Sequence, residues 1–462
     1  MHRRLTLPAW ILSVMLGSCA SPEQPPSPLG ILIVTLDTTR ADYLSAYGAG
    51  PVWTPNLDRL AADGVVFEQA MSVAPLTLPA HCSLFTGLLP PRHGVRDNAG
   101  ASLAADHQTL AEVLQRRGFE TAAFVGSVVL SAGRGLEAGF DVYDDGITKG
   151  RPATGRGLQR PADHVVDQAI AWLEGRRDAP FFLWVHLYDP HAPYDPPEPF
   201  RTAYGDDPYA GEIAFADAQL GRLLDVLDRR RLLDRTAVIV AGDHGESLNE
   251  HGERGHGIFL YQNVIRVPLI VRVAGVPARR VPEVTRLVDV MPTVLELAGA
   301  PPAASDGVSL VAAMTGAAGS LDLEAYSESL YPTRFGWSPL RSLRDGRFKL
   351  IEAPRPELYD LEIDPAERHN LYAERSAIAA LMSRRLSALT RQYVSRHDAR
   401  DSVGPAPETI ERLAALGYVG APRTPLNEVG RPLPDPKDHI GEYNHLVRRR
   451  HGRPGRDDEN SR

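Results

Sequence analysis

The strongest chemical signal is the string Gly242-Asp243-His244-Gly245-Glu246-Ser247, in which a carboxylate and an imidazole follow an apolar run at residues 236–240. A second carboxylate, Asp37, closes another apolar run at residues 29–36. Open α/β sheets bind ligands beyond the C-terminal ends of central strands, and a hard cation is a common reason to gather carboxylates there. The third part is a hydroxyl. Thr77, in Pro75-Leu76-Thr77-Leu78-Pro79-Ala80-His81-Cys82, opens a predicted helix whose first turn accepts Pro79 without losing a hydrogen bond. A helix N-terminus offers unpaired N–H groups and partial positive charge to a bound or developing anion. Asp37, Thr77, Asp243 and His244 together make an oxygen-rich shell with one imidazole. That shell suits a divalent ion able to lower the pKa of a coordinated hydroxyl.

Two more strings offer groups for the rest of a group transfer. In Tyr188-Asp189-Pro190-His191-Ala192-Pro193-Tyr194, beyond a buried-strand candidate at 181–187, His191 suits a proton donor or a metal ligand. His186, inside that strand, reads as structural. Asn98, ending Arg92-His93-Gly94-Val95-Arg96-Asp97-Asn98, is an amide donor to an oxyanion or a turn former. Cys82 reads as a small buried residue.

The elements that must position these groups alternate between buried strands and amphipathic helices. A helix is predicted over 109–117, a strand over 121–125, and a long helix over 207–231 with Ile213, Leu220, Leu224 and Leu227 on one face. A Pro/Ala/Gly-rich stretch at 299–320 precedes a smaller unit with short strands at 326–328, 340–343 and 348–351. With 462 residues, 43% hydrophobic and 23% charged, the chain can bury a large core beside a smaller one. A net charge of −8 gives no basic footprint and argues against nucleic acid, and Arg448-Arg449-Arg450 reads as a solvated tail. The expected division is 1–28 signal and tether, 29–300 catalytic domain, 320–393 α+β subdomain, and 394–462 a polar, loosely ordered tail with one helical piece at 409–416.

Met1-His2-Arg3-Arg4 and the short apolar segment 5–16 form a signal too short to span a bilayer comfortably. Leu16-Gly17-Ser18-Cys19 resembles a bacterial lipoprotein box, which implies cleavage before Cys19 and lipidation of its thiol. Four prolines in residues 21–28 then give an extended tether. The expected location is the bacterial cell envelope, lipid-anchored on the periplasmic or extracellular side. With Cys19 acylated, Cys82 has no disulfide partner in the chain.

The Thr77 segment resembles the sulfatase signature, keeping its spacing at Thr77, Pro79, Leu84, Thr86 and Gly87. It departs at three positions: Thr77 replaces the Cys or Ser that is oxidised to formylglycine, Ala80 replaces Ser, and His81 replaces Arg. Asp37 stands alone where sulfatases often pair two Asp residues, with Thr38 in the second place. Gly126-Ser127-Val128-Val129 lies where many sulfatases carry Gly-Lys-Trp-His, so the Lys and His that grip sulfate are missing. His256, in Arg254-Gly255-His256-Gly257, stands where sulfatases and phosphonate monoester hydrolases usually have Lys. Phosphoethanolamine transferases, which use Thr as nucleophile, have a metal- or phosphate-binding His at that spacing. Pro190-His191-Ala192-Pro193-Tyr194 is similar to the family's leaving-group-acid motif.

The resemblance spans residues 29–371. It implies an alkaline-phosphatase/sulfatase-like α/β sandwich around a large mixed β-sheet, with a small C-terminal α+β subdomain. It also implies Thr77 and His191 as catalytic groups, Asp37, Thr77, Asp243 and His244 as metal ligands, and His81, Asn98, His256 and Arg40 on the substrate side. The cofactor is expected to be one divalent Zn, Mn or Ca ion, with a second conceivable near His191 and His256. The expected reaction is hydrolysis or transfer at a small-molecule, lipid or glycan phosphate, phosphonate or sulfate ester through a metal-activated Thr77. The alternatives are an arylsulfatase-like enzyme without formylglycine, and a catalytically dead, lipid-anchored binding protein.

Overall fold

The structure, a computed structural model, describes residues 28–48, 50–99, 102–146, 159–317, 319–394 and 433–450. Cys19 with its lipoprotein string, and the helical piece expected at 409–416, lie outside the described residues.

The large sheet contains β1 (Gly30–Leu36), β2 (Val65–Met71), β3 (Glu120–Val125), β4 (Val142–Asp144), β5 (Phe181–Leu187) and β6 (Thr236–Gly242). A small hairpin, β7 (Ser247–Leu248) and β8 (Arg254–Gly255), follows. The sheet is completed by β9 (Arg266–Val267), β10 (Leu269–Arg272) and β11 (Arg279–Arg286). Its order is β11-β2-β10-β6-β1-β5-β3-β4, with β9 on β2. β10 runs antiparallel to both neighbours, whereas β1 is parallel to β5 and β6, so the sheet is mixed.

Every residue of β1, β5 and β6 is buried, because helices cover both faces, and such strands read as unbroken apolar runs. Side chains alternate between two cores. Ile31, Ile33, Phe182 and Trp184 face the Thr77–Thr86 and Val290–Leu297 helices. Leu32, Val34, Leu183 and Val185 face the Ala162–Gly175 and Pro208–Arg229 helices. Register then sets the site: Leu36 lies opposite both Leu187 and Gly242, so the three strands stop at one level. Asp37, Tyr188 and Asp243 therefore leave the sheet side by side.

The smaller unit is an antiparallel sheet of β12 (Ala325–Ser329), β13 (Leu340–Arg344), β14 (Phe348–Glu352) and β15 (Glu357–Asp360), packed under the Ser376–Val394 helix. Its first strand is bonded to the large unit by Glu328 N to Val73 O, 2.9 Å, and Ser327 Oγ to Ser72 O, 2.6 Å. The expectation of a loose tail over 394–462 fails for residues 433–450. These form a short turn and the Ile440–Arg450 helix, anchored by Tyr443 between Tyr331 and Phe335. Among the described residues no helix is long and apolar enough to cross a membrane.

Lys349, on β14, is fully buried against Glu367 at 2.7 Å and also donates to the Leu260 carbonyl, tying the two units together. Removing one member of a buried pair strands the other charge. Lys349→Ala is expected to lower unfolding free energy by about 3–5 kcal/mol in urea titration.

Candidate active site and metal centre

Thr77 is the first residue of the Thr77–Thr86 helix, whose ten residues are all buried. The capping residue, Leu76, makes no side-chain cap bond, so the first turn is served from elsewhere: Leu78 N donates to Asn98 Oδ1 at 2.9 Å. That bond orients the Asn98 carboxamide and leaves its buried Nδ2 without a partner. Arg134 donates to the Asn98 carbonyl at 2.6 Å and fixes it from the other side.

Asp37, Asp243 and His244 each offer a ligand atom within 4.8 Å of the others, all fully buried. Asp243 Oδ1 accepts from Thr38 N at 3.1 Å and His244 N at 2.7 Å, while its Oδ2 and both oxygens of Asp37 have no hydrogen-bond partner. His244 Nδ1 faces the Gly245 carbonyl at 3.0 Å, which can only accept, so Nδ1 carries the hydrogen. Its Nε2 lone pair turns toward the carboxylates, 3.6 Å from Asp243 Oδ2 and 3.9 Å from Asp37 Oδ1, and lies 3.4 Å from Thr77 Oγ1. Three orphaned carboxylate oxygens, an imidazole lone pair and a hydroxyl fit a divalent cation, which would satisfy all of them at once.

The electrostatics agree with that fit. Burial, reinforced by Asp243 and Glu246, raises the Asp37 carboxyl well above the ordinary range. Burial raises Asp243 to about 6, against the opposing pull of His81 and nearby amides. Burial lowers His244 to about 4, so its imidazole is neutral and ready to ligate at ordinary pH.

Thr38, in the place of a second Asp, does not face the cluster. Its backbone is left-handed (φ 51°), its hydroxyl donates to the Pro190 carbonyl at 2.7 Å, and its carbonyl accepts from Tyr209 at 2.7 Å. It is a strut between the end of β1 and the loop that carries His191.

His191 stacks on Tyr188, with ring centroids 4.5 Å apart, and its Nε2 lies 3.2 Å from His256 Nε2. Nδ1 of each ring faces a carbonyl: Ala192 O at 2.6 Å for His191 and Pro75 O at 2.9 Å for His256. Both Nδ1 atoms therefore carry hydrogens, and the two Nε2 atoms face one another, a pair able to hold a proton or a cation between them. The His256 ring also lies 4.4 Å from that of His244, so it connects His191 with the carboxylate cluster.

Two expectations need correction. Arg40 was expected on the substrate side, but its guanidinium is bound to Asp42 at 2.7 Å, Glu250 at 2.5 Å and the Glu246 carbonyl at 3.3 Å. Two carboxylates hold it away from the cluster. His81 was expected to meet substrate as well, yet both of its nitrogens are engaged inside the protein, with Thr77 O at 2.7 Å and Thr35 Oγ1 at 3.0 Å. Being four residues on in the same helix, it lies beneath Thr77 and braces it.

Sequence reasoning passed over Thr35 and took His186 as structural. The Thr35 hydroxyl meets His81 Nε2, His186 Nδ1 and Trp184 Nε1, each at 3.0 Å, while His186 Nε2 lies 3.3 Å from Asp37 Oδ2. Thr35 and His186 are partners across β1 and β5, so the pair exists only once the strands are in register. The available signal was two polar residues, each one place before the end of an otherwise apolar strand.

The family model described as Sulfatase matches residues 30–300. The chain belongs to the sulfatase family. A second model, N-sulphoglucosamine sulphohydrolase, C-terminal, matches residues 250–392. Choline-sulfatase of Rhizobium meliloti is 29% identical over 433 residues, covering 74% of this chain and 82% of the relative. The uncharacterized sulfatase YidJ of Escherichia coli is 26% identical, with the same coverage. Among solved structures, the phosphonate monoester hydrolase of Agrobacterium radiobacter superposes with a TM-score of 0.67 at 23% identity, covering 83% of this chain and 100% of that one. A protein solved with its substrate D-glucosamine-2-N,6-O-disulfate gives 0.68 at 22% identity, covering 81% and 99%. The fold is thus that of sulfatases, and the chain is an ester hydrolase of the alkaline phosphatase superfamily, whose members use divalent metal.

An incoming ion has to displace the protons that burial keeps on Asp37 and Asp243, whereas His244 is already unprotonated. Affinity for Zn²⁺ or Mn²⁺ is expected to rise as pH passes upward through about 6. The rise should be about tenfold per pH unit for each proton displaced, and Asp243→Asn should abolish tight binding. Titration calorimetry in buffers of different ionisation enthalpy reads both the affinity and the released protons.

Proposed function

We propose that this sulfatase-family hydrolase acts on phosphate or phosphonate esters with Thr77 as the attacking group. The observation that carries the reading is the place of Thr77 Oγ1, at the start of a buried helix and 3.4 Å from His244 Nε2 in the Asp37–Asp243–His244 cluster. A threonine cannot become formylglycine. The sulfated hydrate of formylglycine releases sulfate by breaking a C–O bond, a route closed to a threonine ester. At phosphorus, in-line displacement from the threonine ester is open.

A divalent cation held by Asp37, Asp243, His244 and Thr77 supplies charge that lowers the hydroxyl pKa and offsets the non-bridging oxygens of the substrate. Within the chain, Thr77 Oγ gives its proton to a solvent water and bonds to phosphorus as the bond to the leaving oxygen breaks. The leaving oxygen takes a proton from His191, whose Nε2 faces His256 Nε2 at 3.2 Å. Water or an alcohol then displaces the Thr77 ester and returns its proton to His191. Asn98 Nδ2, buried and without a partner, is the donor suited to a phosphoryl oxygen.

A second reading, sulfate-ester hydrolysis without formylglycine, is favoured by the similarity to choline-sulfatase. The test is turnover of aryl and alkyl phosphates, phosphonates and sulfates with added Zn²⁺ or Mn²⁺. Thr77→Ala is expected to bring phosphoester turnover to background. His191→Ala should cost about 10²–10⁴-fold on an alkyl leaving group and far less on nitrophenyl. Sulfate turnover that survives Thr77→Ala, with none on phosphoesters, rejects the assignment.

The lipoprotein string at Cys19 supports a place on the bacterial envelope, anchored by lipid. Labelled palmitate is expected to enter the wild-type chain and not Cys19→Ala, and equal labelling of the two would refute the anchor.

A further inference from the structure

His256 belongs to a segment with little conformational preference of its own. Gly252, Gly255 and Gly257 all adopt positive φ, at 81°, 100° and 108°, so the peptide on either side of the imidazole is free to swing unless held. From inside, Glu253 Oε1 accepts from Ile258 N at 2.9 Å. From outside, Ser329 Oγ donates to the Gly257 carbonyl, and the stretch from Gly252 to His256 is held by residues far along the chain.

Two adjacent side chains of the Ile440–Arg450 helix provide it. Tyr443 OH donates to the His256 carbonyl at 2.8 Å. Asn444 Nδ2 donates to the Gly252 carbonyl at 2.6 Å, and its Oδ1 accepts from Arg254 N at 2.9 Å. The three bonds span the segment from its first glycine to His256 itself. Tyr443 and Asn444 are only 5% and 8% exposed, so these bonds are sheltered from water. The helix is itself secured. The Tyr443 ring meets Tyr331 and Phe335 edge-on, at 6.3 and 5.9 Å, and His439 stacks on Trp337 at 5.3 Å. Before the helix, Ser338 N donates to Pro434 O at 2.8 Å and Arg355 N to Asp435 Oδ2 at 3.0 Å.

We propose that Tyr443 and Asn444 are positioning residues for the reaction, forming a C-terminal clasp that fixes the His256 peptide so that its imidazole faces both His191 and His244. The proposal rests on the reading of His256 as a site residue. Nothing in the sulfatase signature calls for this contact, since the clasp lies beyond the residues that either family model matches.

The experiment uses the full chain with Tyr443→Phe, Asn444→Ala and the double variant, each in wild-type and His256→Ala backgrounds. Tyr443→Phe keeps the ring packing and removes only the hydroxyl. In the wild-type background the double variant is expected to lose about 10–100-fold in kcat with KM little changed, the scale set by small misplacements of a reacting group. In the His256→Ala background the same substitutions should cost little, because the group they position is gone. Amide hydrogen exchange at Arg254, whose N–H is held by Asn444, should quicken in the double variant. An equal loss in both backgrounds overturns the proposal, as does unchanged kcat. If no ester is turned over, the reading of Thr77 is what fails. The exchange measurement then decides on the clasp alone, and unchanged exchange at Arg254 overturns it.

Discussion

Two like carboxylates held together inside the protein are the constraint on which the rest depends. Parallel register between β1 and β6 delivers Asp37 and Asp243 beyond the same edge of the sheet, with ligand atoms within 4.8 Å. At an effective dielectric constant of about 20, two ionised groups at that distance repel by about 3.5 kcal/mol, before any cost of desolvation. The surroundings do little to relieve this: two amides reach one oxygen of Asp243, and the other three have no hydrogen-bond partner, with His186 Nε2 standing 3.3 Å from Asp37 Oδ2. Such an arrangement is sustained by protons or by a cation. A site able to exchange one for the other is a sensible place to activate a hydroxyl.

Around that pair the chain spends its polar groups on orientation. Thr35 ties His81, His186 and Trp184 into one knot beneath the cluster, and His81 passes the hold on to the Thr77 carbonyl. Gly245 sets the tautomer of His244, Pro75 that of His256, and Ala192 that of His191. Backbone carbonyls therefore decide which ring nitrogens carry hydrogens, and the groups left to meet a ligand are few: Thr77, Asn98, and the facing Nε2 atoms of His191 and His256.

Much of this was legible in the sequence where the cause is local. The apolar runs of β1, β5 and β6 end in charged or polar residues at the positions observed, because a strand buried on both faces has no other way to stop. Helix starts were equally visible: Thr109 and Glu112 cap one helix reciprocally, and Asp207 caps another. What was hidden depends on partners far apart in the chain. Arg40 faces Asp42 and Glu250 rather than a ligand, and His81 owes its orientation to Thr35. The Ile440–Arg450 helix is polar in composition, and its single aromatic anchor makes sense only beside Tyr331 and Phe335.

The strut at Thr38 bears on what an aspartate at that position would do. A β-branched residue in left-handed backbone costs about 1–3 kcal/mol, a conformation that aspartate tolerates better. Yet the Thr38 hydroxyl donates to Pro190 and so lashes the loop of His191 to the end of β1, which an ionised carboxylate, an acceptor only, cannot do. An acid in its place would relax the backbone while unfastening the loop of His191 from its scaffold. A carboxylate here and a tethered loop are therefore alternatives: the side chain that fills one role gives up the other.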